Sequence, residues 1–186
     1  MSYTINAGGR LLDLQTPVVM GILNATPDSF YAGSRTQTEA EIAARVHQIV
    51  DEGAGIIDVG AYSSRPGADD VPAEEEARRL RHALDIVRRE APDAIISVDT
   101  FRADVAKMCI EEGGAHIIND ISGGTLDKNM FRTVARLRVP YILMHIQGEP
   151  HTMQQAPHYE NLEQEVFLFL SERVDQLRQM GVADII

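Results

Sequence analysis

Val18-Val19-Met20-Gly21-Ile22-Leu23-Asn24-Ala25-Thr26-Pro27-Asp28-Ser29-Phe30 decides how this chain is read. The apolar run from Val18 to Leu23 stops at an amide and enters a polar loop containing proline. A strand buried on both faces reads as a continuous apolar run, and a parallel strand delivers its functional loop from its C-terminal end. The same event recurs at Asp58, Asp99, Asn119 and His145. Five strand ends therefore converge polar groups on one face.

Outward from that stretch, apolar runs alternate with amphipathic segments. Strands are predicted at Val18–Leu23, Ile56–Val59, Ile95–Val98, His116–Ile118, Tyr141–Met144 and Asp184–Ile186. Thr38-Glu39-Ala40-Glu41 is a capping box, followed by Ile42, Val46 and Ile49 on one face and a stop at Gly53. Pro72 opens a second helix with an Ala77, Leu80, Leu84 and Val87 stripe. Helices follow at Ala103–Glu112 and Asn129–Leu137, and the longest carries Leu162, Val166, Leu170, Val174 and Leu177. Near the start, Tyr3–Asn6 and Arg10–Leu14 flank Ala7-Gly8-Gly9 as a hairpin able to plug a barrel floor.

Strict βα alternation means a parallel sheet with right-handed crossovers, either doubly wound or a barrel. A doubly wound dinucleotide binder wants a Gly-rich fingerprint after its first strand, and Asn-Ala-Thr-Pro-Asp stands there instead. Polar groups at every strand's C-terminal end favour a TIM (β/α)8-type α/β barrel. Such barrels take about 250 residues, and 186 residues reach only the start of a sixth strand. The expectation is one barrel domain over residues 1–186, truncated after about five βα units, with an N-terminal hairpin.

The totals exclude some functions. A net charge of −11 disfavours nucleic acid, whose binding runs on Lys and Arg neutralising phosphates. No apolar stretch approaches a membrane span, and Met1 to Gln15 lacks the apolar core of a leader, so a cytoplasmic location is expected. The single cysteine, Cys109, reads as a small core hydrophobe. His47, His82, His116 and His158 lack ligand spacing, so no zinc site is expected.

Read from the residues alone, the polar strand ends keep two meanings each. Asp99 can accept paired hydrogen bonds from an N–H/N–H₂ edge, or cap the helix that follows it. Asn119 offers a donor and an acceptor to a heterocycle, or caps the turn into Ser122-Gly123-Gly124. Asn24 is a hard oxygen donor or an Asx turn. Asp58, within Ile57-Asp58-Val59-Gly60, must be paired if buried.

Asn24 to Phe30, Ser64-Arg65-Pro66-Gly67, Ser97-Val98-Asp99-Thr100 and Ile118-Asn119-Asp120-Ile121 together closely resemble dihydropteroate synthase, the pterin-binding folate-pathway enzyme that sulfonamide drugs target. The resemblance implies a transferase that condenses a dihydropterin pyrophosphate with p-aminobenzoate and releases pyrophosphate. It places the pterin on Asp99 and Asn119, with Asp58, Ile121 and Met144 around it. It gives magnesium to Asn24. Thr26, Asp28, Ser29 and Phe30, with Ser64, Arg65 and Pro66, belong to two loops that order the aminobenzoate and pyrophosphate. No covalent protein nucleophile is implied, and an intact enzyme of this kind is expected to be a homodimer.

His145, before Ile146-Gln147-Gly148, is read as structural rather than as a base, and Asp120 as a residue holding its loop. The sequence departs from the resemblance at Ala32, where an acid is usual, and at Ala61-Tyr62 in the second loop. A second pterin-binding Asp, a Lys and an Arg-x-His expected from later strands do not occur in it. Two other readings are therefore carried: a methyltetrahydrofolate:corrinoid methyltransferase-type pterin module, and a non-enzymatic barrel fragment with weak pterin binding.

Overall fold

The computed structural model describes residues 3–26, 39–62, 71–150 and 152–186. A hairpin, β1 (Thr4–Ala7) and β2 (Arg10–Asp13), precedes β3 (Met20–Asn24), α1 (Glu39–Asp51), β4 (Ile56–Gly60), α2 (Ala73–Glu90) and β5 (Ile95–Asp99). Then come α3 (Ala103–Glu111), β6 (Ile117–Asp120), α4 (Met130–Leu137), β7 (Tyr141–Leu143) and α5 (Leu162–Gln179). Strands β3 to β7 pair in sequence order, all parallel, as the leading part of a (β/α)8-type barrel. Ile185 adds one parallel bridge to Tyr141, where the sixth strand is predicted.

Alternation along each strand sorts the residues onto two faces. Leu23, Ile57, Val59, Ile96, Val98 and Ile118 meet Ile42, Val46, Leu80, Leu84, Val105 and Val134 from the helices in the main core. Cys109 is buried in that core, and burial pushes its thiol up to about 12, as expected of an inert hydrophobe. The opposite face is layered. Its floor is Ile56, Ile95 and Ile117 packed against Ile5 and Ala7 of the hairpin. Above lie Asp58 and Ser97 in register, then Asn24, Gly60, Asp99 and Asn119 in a single row across four strands.

Helix α5 keeps most of its predicted stripe: Leu177 is fully buried and Val166, Leu170 and Val174 are half-buried, whereas Leu162 at its start is 55% exposed. Thr38 of the capping box lies outside the described residues. Among the described residues no helix is long and apolar enough to cross a membrane.

The hairpin is fastened from below. Arg10 donates to the carbonyls of Asp93 and Ala94, and the Asn6 amide donates to Asp184 Oδ2 at 2.9 Å. Gly8 turns the hairpin at φ +63°, and a β-carbon there would sit 2.3 Å from His116 Cδ2. Gly8→Ala is accordingly expected to cost about 2 kcal/mol, combining left-handed strain with displacement of the imidazole. Urea denaturation measures it, and an unchanged midpoint would show that the hairpin does not dock on His116.

Candidate functional site

Asp99 ends β5 with its side chain released from the capping role. The first amide of α3, Ala103 N–H, donates to Asp127 Oδ2 at 2.8 Å, and Arg102 N–H donates to Thr100 Oγ1 at 3.2 Å. Asp127 Oδ1 also takes the Asn129 amide at 2.9 Å, so one carboxylate serves the starts of two helices. The Asp99 carboxylate faces Gly60 instead. A β-carbon at Gly60 would lie 3.6 Å from Asp99 Oδ2 and 3.8 Å from Asn24 Oδ1. Glycine thus leaves open the space on which the Asn24 and Asp99 side chains converge.

Asn119 likewise takes no part in its turn. Asp120 does that work: Oδ1 accepts from the Ser122 amide and hydroxyl at 2.8 and 2.7 Å, and Oδ2 accepts from the Gly124 amide at 3.0 Å and Tyr141 Oη at 2.7 Å. Asn119 Nδ2 instead donates to Asp58 Oδ2 at 3.0 Å. Because Asp58 and Asn119 sit on β4 and β6, that bond passes over β5. Asn24 is exposed, and its side chain makes no hydrogen bond among the described residues, which sets aside the Asx turn. Thr26 and Ile121 are half-buried, each just beyond a strand end, and Met144 is 43% exposed just past β7. Asp28, Ser29, Phe30, Ser64, Arg65 and Pro66 lie outside the described residues.

The electrostatics follow from the burial of three carboxylates, Asp58, Asp99 and Asp120, on neighbouring strands. Burial, then the charges of Asp58, Asp120 and Glu76, pushes the Asp99 carboxyl up to about 7. Burial also raises Asp58 and Asp120, each opposed by its own hydrogen bonds. A ligand edge bearing N–H donors would relieve this repulsion. Among the described residues, no group of three His, Cys, Asp or Glu side chains is arranged to hold a divalent metal. One hard amide oxygen at Asn24, beside Asp99, fits a Mg²⁺ that fills its shell with water and phosphate oxygens.

Glu76 is the residue that sequence reading misses. It is 0% exposed in the first turn of α2, pairs with the Arg102 guanidinium, and accepts from Thr100 Oγ1 at 2.7 Å. Arg102 also donates to the Val71 carbonyl at 2.9 Å and lies 5.3 Å from the centre of the Tyr62 ring. This cluster braces the residue next to Asp99. His145 packs edge-on against Phe169, 4.6 Å between ring centres.

The family model for pterin binding enzymes matches residues 20–186. The chain is 39% identical over 176 residues to a dihydropteroate synthase of Haemophilus influenzae, covering 95% of this chain and 63% of that protein. It is 42% identical over 180 residues to a mitochondrial folate synthesis bifunctional protein of Pisum sativum, covering 95% of this chain and 35% of that one. Xanthomonas albilineans dihydropteroate synthase with 4-aminobenzoic acid superposes with a TM-score of 0.83 at 38% identity, over 98% of this chain and 64% of that one. The Yersinia pestis enzyme in a sulfonamide drug complex gives a TM-score of 0.85 at 34% identity, over 97% and 64%. The chain therefore spans less than two thirds of these relatives.

Proposed function

Since the chain belongs to the pterin-binding enzyme family, we propose that it carries the pterin and leaving-group side of a dihydropteroate synthase. The supporting observation is the single row Asn24, Gly60, Asp99 and Asn119, two polar groups either side of an open glycine with a third, fourth-strand amide beside them. The Asp99 carboxylate accepts the N–H/N–H₂ edge of the pterin, and Asn119 holds the ring by its amide. The gap at Gly60 admits the methylene that joins ring to pyrophosphate. Ile121 and Met144 are placed as apolar wall.

The reaction is a displacement at that methylene. The p-aminobenzoate nitrogen forms the new C–N bond, the C–O bond to pyrophosphate breaks, and the amine proton passes to solvent or the departing phosphate. Asn24 is the protein ligand we assign to magnesium, which when bound neutralises charge on the leaving pyrophosphate. Thr26, Asp28, Ser29 and Phe30, with Ser64, Arg65 and Pro66, order the aminobenzoate and phosphates. The chain's own contribution is positioning and charge, without a covalent nucleophile.

Titrating the 186-residue chain with 6-hydroxymethylpterin tests this reading. Saturable binding at one site per chain is expected, followed by calorimetry. No heat and no change in pterin absorbance at millimolar ligand would overturn it.

A further inference from the structure

Asp58 is 5% exposed, lies one layer beneath the row that holds Asp99, and engages Asn119 through Oδ2. A carboxylate only accepts hydrogen bonds, so it can meet only the nitrogen of the Asn119 amide. An asparagine facing solvent can turn either end toward a ligand, whereas one held by a buried carboxylate cannot. We propose that Asp58 is a positioning residue: it locks the Asn119 amide in one of its two orientations and acts on bound pterin through that amide.

Three observations carry this. Asp58 sits at the level of Ser97, two residues down β4 from Gly60, so the ligand row lies above it. Its bond to Asn119 spans an intervening strand, a reach that serves no ladder or turn. The Asn119 loop is already held by Asp120, leaving orientation as what the Asp58 contact adds.

The inference rests on the pterin reading, and a double-mutant cycle separates the two. Asp58→Ala, Asn119→Ala and the double variant are titrated with 6-hydroxymethyl-7,8-dihydropterin, which keeps its ring N–H, at pH 9, where Asp99 is ionised in all of them. Asp58→Ala is expected to weaken binding roughly 10-fold when Asn119 is present and less than about 2-fold when it is absent. Asp58→Asn, whose amide oxygen can still accept from Asn119, is expected to restore most of the affinity and to control for folding. Equal weakening in both backgrounds would overturn the proposal, because Asp58 would then touch the ligand directly. So would no weakening in either.

A ligand-free readout stands beside the cycle. The Asn119 side-chain amide resonances should shift in Asp58→Ala and return toward wild type in Asp58→Asn. If wild type fails to bind the pterin while these resonances shift, the pterin reading falls and the hold of Asp58 on Asn119 stands. Resonances that ignore Asp58 overturn the proposal whatever the pterin does.

Discussion

Glu76→Ala is expected to lose about 3 to 5 kcal/mol in urea denaturation, because it removes a fully buried carboxylate that engages both Arg102 and Thr100. The Arg102 guanidinium would lose its contact with that carboxylate, while still donating to the Val71 carbonyl at 2.9 Å and lying near the Tyr62 and Phe101 rings. The Thr100 hydroxyl would lose its acceptor at 2.7 Å as well. Glu76→Gln keeps the volume and one acceptor, so its loss should be smaller. Both variants remove one of the charges that raise Asp99, whose carboxyl should then titrate lower in each. A loss below about 1 kcal/mol for the alanine variant, the value typical of exposed pairs, would mean that this pair is solvated.

At Asp99 itself, asparagine should move stability and ligand affinity in opposite directions. The carboxyl's ordinary value of 3.8 is raised to about 7 in the folded chain, first by burial. The folded state thus keeps a proton that the unfolded state releases near pH 4. Wild-type stability falls as pH rises through that window, and the whole penalty is present above about pH 7. Asparagine carries no charge, so Asp99→Asn should match wild type near pH 4 and exceed it by on the order of 2 kcal/mol at pH 8, the half-buried site taking part of the full shift.

The same variant should bind 6-hydroxymethylpterin roughly 100-fold more weakly, since two charge-assisted bonds become at best one neutral one. Wild-type affinity should climb as pH rises toward 7, because the donor edge favours the ionised carboxylate. A variant destabilised at pH 8, with unchanged pterin affinity, would remove Asp99 from the site.

The strands were readable because burial on both faces leaves no room for alternation. Ile57, Val59, Ile96 and Val98 serve the helix core while Ile56 and Ile95 serve the hairpin floor, so β4 and β5 are each apolar but for one residue of the middle layer before their last position, Asp58 or Ser97. The polar row was readable for the complementary reason: a carboxylate or amide that closes such a run is conspicuous. Its internal wiring was not. Glu76 is one of three successive glutamates, and only its i, i+4 and i+8 spacing to Leu80 and Leu84 separates the buried one from Glu74 and Glu75. Asp127 receives the first amide of a helix that begins 24 residues earlier, a contact no spacing rule supplies. The capping alternative for Asp99 therefore stayed open in sequence and closes only in three dimensions. The shortfall at β7, which stops at Leu143 rather than Met144, has the same origin. An apolar residue continues the run in sequence without continuing the ladder.

The bond from the Asn6 amide to Asp184 has a kinetic meaning beyond its strength. It joins residues 178 apart in the chain, whereas each parallel pairing in the main sheet is bridged by a single helix. Contacts that close small loops form early, and those that close the largest must wait for the intervening chain to become compact. The docking of the hairpin through Asp184 is then expected to come late in folding, after β3 to β7 have formed the surface it covers.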